Sequence, residues 1–344
     1  MTHIATTVDD CFCIVSDSMA KEKLIQMCKD TFQEITVEEG DSLNIIGMNF
    51  QFDRTSKTVI VQQKQFVKEL VEKFGVTRAA ATPALVDLYD VDEDSPLLKD
   101  QLNYMSINSS CMYAGKRTYP EVLPAATYLA SKYWKATEED LVKVLRIVEY
   151  LNYDIEGHCL RLCPTSFAIV ASSDASYGEH DDGRSQTGGC VGLQGEGRGS
   201  FFIFISSKQP VVAKSSCEAE LISGSTVGDY LLWLRYMILQ LGYGEQSAIL
   251  EQDNLSAIGF SQKGRGSFKR SKHIKVRYFW LKGLIDEGIL LLKYVPSKKM
   301  VADILTKPVV GAQFKYLLKM LLGLEWESVV KSDKHTAAER GVKD

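Results

Sequence analysis

The sequence predicts an α/β fold: a mixed five-stranded sheet with flanking helices in the second half, preceded by a smaller α+β region. Three observations lead there. Strand-length apolar runs at 167–174, 188–194 and 201–206 follow one another across short connections, as in a meander. A long helical stretch, 216–241, comes next. Two more strands, 248–253 and 289–295, then join through helical segments that reach 286, the way a sheet gains strands by crossovers. A short helix is expected at 299–305.

The first half is read element by element. "IATTVDDCFCIV" is apolar on both sides of Asp9 and Asp10, which predicts a hairpin with two acids at its tip. A helix follows near 19–33, with Leu24, Ile25, Cys28 and Phe32 on one face. "LNIIGMNFQFDRTSKTVIVQQ" predicts a second hairpin turning at 54–57. "KQFVKELVEKFG" is a short amphipathic helix closed by Gly75. Residues 80–100 hold two prolines and the acidic run "LVDLYDVDED", and are expected to form a linker. Two helices come next. Pro120 suits the first position of one, with Thr118 as cap and Glu121 three residues on; the other starts after Thr137 and repeats Leu141, Val144, Leu145, Val148 and Leu151 at helical spacing. The stretch after Lys331 is polar and expected to be disordered.

The chain has 344 residues, 45% hydrophobic and 24% charged, which fits a soluble globular protein of two or three domains. No apolar stretch approaches the ~20 residues of a membrane span, so no membrane partner is expected; "FFIFI" at 201–205 fits a buried strand. The N-terminus has neither a basic region nor a small-residue cleavage site, and no signal peptide is expected. Eight cysteines without a CxxC pair argue for reduced thiols and an intracellular setting. His158, Cys159 and Cys163 lie close together, but the second pair that a metal site needs is missing. A net charge of −4 argues against a broadly basic nucleic-acid binder. The tract "KGRGSFKRSKHIKVR", 263–277, nevertheless carries seven lysines and arginines and no acid. It is either a solvated loop or a local phosphate contact.

The acids of the second half gather at element ends. Asp174 ends the first strand, Glu218 and Glu220 open the long helix, Asp253 ends the fourth strand, and Asp303 lies in the last short helix. Asp174 and Asp253 could be turn or helix caps, and Asp303 a solvent-facing acid. Glu218 fits a capping box with Ser215, which leaves Glu220 without a local task. If the first and fourth strands are parallel neighbours, their carboxyl ends share an edge, where α/β sheets place functional groups. Four acids there would repel one another unless divalent ions neutralised them, and oxygen ligands suit Mg²⁺ or Mn²⁺. Two such ions about 3.5–4 Å apart can activate water and stabilise a leaving oxygen in phosphodiester hydrolysis.

The order Asp, Glu, Asp, Asp on this plan resembles ribonuclease H. The blocks "SDASYG", "DDGRSQTGGCV", "SSKQPVVAKSSCEAEL", "DNLSAI", "RSKHIKVRYFWLK" and "YVPSKKMVADILTKP" resemble, in order, the ribonuclease H domain of copia-type retrotransposon polyproteins. This covers roughly 165–325. The resemblance implies a ribonuclease H-like sheet and a nuclease that cuts the RNA strand of RNA–DNA hybrids by in-line attack of water. Two Mg²⁺ or Mn²⁺ ions would be held by Asp174, Glu220, Asp253 and Asp303. Lys269, Arg270, Lys272, Lys275 and Arg277 would touch phosphate. His273 would be a phosphate contact, a general acid or a surface histidine.

The first half extends the resemblance. "TVDD", with Asp9 and Asp10, is similar to the end of a reverse transcriptase palm, although Thr7 stands where the family usually has an aromatic residue. "NIIGMNFQFD", "KQFVKELVEKFGV" and "YAGKRTYPEVLPAATYLASKYW" resemble the segments that follow it. The implied organisation is a palm and thumb remnant at 1–85, a linker and connection helices at 86–165, the ribonuclease H-like domain at 166–325 and a polar tail. The family's fingers, and the palm strand with the third polymerase carboxylate, have no counterpart here. The expectation is therefore a fragment that does not extend primers, unless another chain supplies those parts. The rival expectation is an inactive relic that binds nucleic acid or a partner without cutting. The resemblance also implies residence in the cytoplasm, within virus-like particles, and in the nucleus.

Overall fold

The computed structural model describes residues 2–7, 10–32, 34–195, 199–263 and 272–324. The second half is built on a five-stranded sheet. Its strands are β7 (Pro164–Ser176), β8 (Gln186–Gly195), β9 (Gly199–Lys208), β10 (Ala248–Gln252) and β11 (Leu290–Tyr294). Numbered within the sheet, their spatial order is 3-2-1-4-5. The first three are antiparallel, whereas β10 lies parallel to both β7 and β11. This is the ribonuclease H-like α/β sheet that the sequence predicts.

One face is covered by α6 (Ser216–Gln240) and α8 (Lys272–Asp286), which follows α7 (Leu255–Lys263). Ile169, Ala171, Val191 and Leu250 of the sheet pack there against Val227, Leu231 and Leu234 of α6. On the other face Val170, Cys190 and Phe201 join a core with Leu129, Ile304, Leu305 and Leu317. Those residues belong to α4 (Leu123–Ala130), the 3-10 turn Val301–Leu305 and α9 (Gly311–Leu321).

The first half contains a hairpin, β1 (Thr2–Thr7) and β2 (Asp10–Val15), then α1 (Ser18–Thr31). A separate antiparallel sheet has the order β3 (Ser42–Ile45), β4 (Met48–Asp53), β5 (Thr58–Gln62), β6 (Leu160–Leu162). α2 (Lys64–Lys73), α3 (Gln101–Gly115) and α5 (Glu138–Leu151) complete the elements.

Several expectations need correction. The second hairpin is a three-stranded meander, because Ile46 and Gly47 both take positive φ (50° and 69°) and form an extra two-residue turn. β6, from far along the chain, pairs with β5 as a fourth strand. Residues 80–100 are not a loose linker: Ala80, Ala84 and Leu88 are buried in the core with α3, α4 and α5. Lys143 Nζ donates to the Asp90 carbonyl at 2.6 Å, and Leu97 bridges Thr137. Three helices follow instead of two, because α3 is present. Thr118 does not cap the helix at Pro120. Its hydroxyl donates to Gln63 Oε1 (2.8 Å), while the buried Glu121 accepts from the Tyr150 hydroxyl (2.7 Å). The helix expected at 299–305 is a pair of 3-10 turns. β7 also runs two residues beyond Asp174, so that acid sits within the strand and not at its last position. Residues after 324 lie outside the described part.

Candidate metal centre

β7 and β10 are parallel and in register, with Glu251 opposite Ser172. Two residues further on, Asp253 comes level with Asp174. α6 enters across this end. Ser223 Oγ donates to the Asp174 carbonyl at 2.7 Å, which pins the first half of the helix to β7. β8 permits close approach from both sides. A Cβ on Gly188 would stand 2.8 Å from the Leu305 backbone carbon and 2.9 Å from the Ala302 oxygen, and one on Gly189 would meet Val227 of α6. The paired glycines of "QTGGCV" therefore let the 3-10 turn and α6 close on the same strand.

The result brings Asp174, Glu220 and Asp253 together, with a carboxylate oxygen of each within 4.8 Å of the others. Asp303 joins from the 3-10 turn. Asp174 and Glu220 are buried, Asp253 and Asp303 half-buried. Each acid is held by a neighbour. Thr306 Oγ1 donates to Asp174 Oδ2 (2.7 Å), Gln252 Nε2 to Glu220 Oε2 (3.3 Å), and Ser297 Oγ to Asp253 Oδ2 (2.6 Å). Lys307 Nζ lies 3.3 Å from Asp303 Oδ1 and 3.9 Å from Asp174 Oδ2.

The electrostatics carry the cost of this crowding. Burial, and then the charges of Asp174 and Asp253, push the Glu220 carboxyl up to about 9. Burial and Asp174 push Asp303 up to about 7, with Lys307 pulling the other way. Burial works to lower the Lys307 ammonium, but Asp174 and Asp303 outweigh it and hold it above the usual lysine value. Grouped, partly desolvated carboxylates are the donor set of a hard divalent cation.

Glu218 and Glu220 separate cleanly. The Glu218 amide donates to Ser215 Oγ (3.2 Å), and its carboxylate turns back to accept from the Lys214 amide (3.1 Å). Glu220 faces the other acids. Sequence reasoning missed Thr306, Lys307, Gln252 and Ser297. Thr306 and Lys307 were within reach, because they follow Asp303 at the i+3 and i+4 positions that share one side of a helical turn.

The remaining candidates stand apart. Asp10 is exposed and pairs with Thr7 at the end of the first hairpin, away from any three-acid group among the described residues. Asp9, Lys269 and Arg270 lie outside the described residues. Lys272, His273 and Lys275 fall on α8, but their side chains are outside the description. Arg277 is half-buried, and its charge lowers the Asp229 carboxyl of α6, which burial raises. His158 is stacked on Tyr119, with ring centroids 3.7 Å apart, and bonds to the Thr118 carbonyl.

No family model matches the chain. A retrovirus-related Pol polyprotein from transposon TNT 1-94 of Nicotiana tabacum is 28% identical over 296 residues, covering 83% of this chain and 22% of that protein. The Pol polyprotein from transposon RE1 of Arabidopsis thaliana is 24% identical, covering 82% of this chain and 19% of its own length. A truncated transposon Ty1-A Gag-Pol polyprotein of Saccharomyces cerevisiae is 24% identical, with 91% of this chain and 27% of the relative covered. The homologues of this chain are Ty1/copia-type retrotransposon polyproteins.

The chain spans about a quarter or less of the length of these copia-type relatives. Among solved structures, a ribonuclease H1 isolated from compost is 14% identical, covering 41% of this chain and 94% of that one with a TM-score of 0.31. A foamy virus protease–reverse transcriptase is 13% identical, covering 89% of this chain and 37% of the other with a TM-score of 0.27. Strand order and pairing, not these overlaps, carry the fold.

Proposed function

We propose that this chain is a divalent-metal-dependent ribonuclease H, part of a retrotransposon reverse transcriptase, that hydrolyses the RNA strand of RNA–DNA hybrids. The observation that carries it is the acid group at the carboxyl edge of β7 and β10: three carboxylate oxygens within 4.8 Å, with Asp303 beside them. The copia-type relatives support the same assignment.

The residues fit Mg²⁺ or Mn²⁺. All donors are hard oxygens, and the Glu220 and Asp303 carboxyls, raised first by burial and then by their acidic neighbours, are ones whose ionised form a cation would favour. Asp174, Glu220, Asp253 and Asp303 would hold two ions, which when bound supply positive charge for the attacking water and the leaving oxygen of a phosphodiester. The protein contributes preorganisation. Thr306 fixes the rotamer of Asp174, Gln252 that of Glu220 and Ser297 that of Asp253, so the ligands need little rearrangement. The basic residues of 263–277, where α8 begins, supply sequence-independent phosphate contact and fix the register of the duplex.

The test is substrate discrimination by the full chain. With Mg²⁺ it should cut the RNA of a labelled hybrid, leave the DNA strand and double-stranded DNA intact, and stop in EDTA. Cleavage that persists in EDTA, or a folded protein inert on the hybrid, would overturn the assignment.

A further inference from the structure

Lys307 is a cation built against the acid group. Its ammonium lies 3.3 Å from Asp303 Oδ1 and 3.9 Å from Asp174 Oδ2, and the Asp174 atom is the one that Thr306 already holds. The backbone sets this position. The Lys307 amide donates to the Asp303 carbonyl (3.3 Å), which places the side chain one turn beyond the acid it pairs with. Yet the side chain is 43% exposed, so the ammonium has solvent to swing into. A divalent ion on Asp174 and Asp303 would bid for the same carboxylates at a distance where a 2+ and a 1+ charge repel even through water.

We propose that Lys307 is a resident counter-cation that competes with divalent ions for the Asp174–Asp303 pair, and so weakens ion binding while it keeps the metal-free site intact. This rests on the assignment of the acid group as the metal centre. A resident ammonium gives the buried carboxylates a partner during folding. It also makes loading depend on displacing that partner, so half-occupancy needs a higher divalent concentration than the carboxylates alone would set, with the steepness of the binding curve unchanged.

Isothermal titration of the full chain with MgCl₂ and MnCl₂, without nucleic acid and at low ionic strength, tests this. Lys307→Met should bind on the order of tenfold more tightly than native protein. Lys307→Gln should do the same, and Lys307→Arg should stay close to native. The gap should narrow in 1 M salt, where the screening length is about 3 Å. In EDTA, Lys307→Met should melt below native protein. Glu220→Gln, titrated alongside, separates the two claims. If it loses ion binding while both neutral Lys307 variants bind no more tightly than native, the counter-cation proposal fails and the metal centre stands. If Glu220→Gln binds as native protein does, the metal centre itself is misplaced and the proposal falls with it.

Discussion

Glu220 shows how one residue links stability to chemistry. Its folded carboxyl titrates near 9, against 4.5 for an ordinary glutamate, and Asp303 near 7 against 3.8. Both shifts are upward, so the folded, metal-free protein binds more protons than the unfolded chain between those limits. Stability from these groups is present at low pH and is lost as pH rises through their folded values. In EDTA the melting midpoint should therefore fall between pH 5 and pH 9, and Glu220→Gln should remove much of that slope. With saturating Mg²⁺ the fall should be offset, because ion binding favours the ionised acids. A midpoint in EDTA that is flat or rises over this range would contradict the crowded-acid account. Asp174 answers a related question, why a buried strand carries a carboxylate. It lies inside β7 with its oxygen held by Thr306, so it is not the turn cap that its strand-end position in the sequence allowed.

At the scale of elements, β8 decides whether the acids can meet. Its two successive glycines remove the side chains that would hold α6 and the Val301–Leu305 turn apart. Gly188→Ala places a methyl against the Leu305 backbone and the Ala302 carbonyl, neither of which can yield as a side-chain tip can. The expected cost is about 1–3 kcal/mol of overpacking. The displaced turn carries Asp303 and Thr306, so hybrid cleavage should fall further than stability does. Gly283→Ala in α8 is the control: its added methyl meets nothing within 4 Å, and the helix should gain slightly. Equal behaviour of the two variants in a denaturant melt and a cleavage assay would contradict this role for β8. The turn is buttressed from outside as well, where the Tyr89 hydroxyl donates to the Thr306 carbonyl at 3.1 Å.

Across the whole molecule, local signals were legible and long-range ones were not. The five strands and α6 came through because each rests on period or apolar run within a few residues, and the ends of these elements place Asp174, Glu220 and Asp253 together. The helix expected to start after Thr137 does start there, with Thr137 as its cap and Asp140 completing the box. Thr118 failed as a cap because its hydroxyl is drawn to Gln63, 55 positions away in the chain. The turn at Ile46–Gly47 was hidden because a β-branched residue at positive φ is a conformation that local propensity argues against. α3 was missed because serine and asparagine dilute its helical signal; its Asn108 is fully buried and donates to the Ala126 carbonyl, a tertiary contact. The supposed linker at 80–100 reads as polar, yet Leu88 and Ala84 anchor it in the core shared by the helices and the sheet.

That core ties the Asp303 turn to the helices α3, α4 and α5 as well as to the sheet, and one comparison tests the central claim most directly. Glu218 and Glu220 stand two positions apart on α6, are the same residue type, and differ in where they point. The initial rate of RNA cleavage in a hybrid should be measured for Glu218→Gln and Glu220→Gln under identical Mg²⁺. The account predicts that Glu220→Gln loses about a hundredfold or more, the scale of removing a preorganised electrostatic contact. Glu218→Gln should stay within a few-fold of native in rate and close to it in stability, because Ser215 is the cap and a glutamine oxygen can still accept from the Lys214 amide. A Glu220→Gln protein that cleaves at the native rate would contradict it.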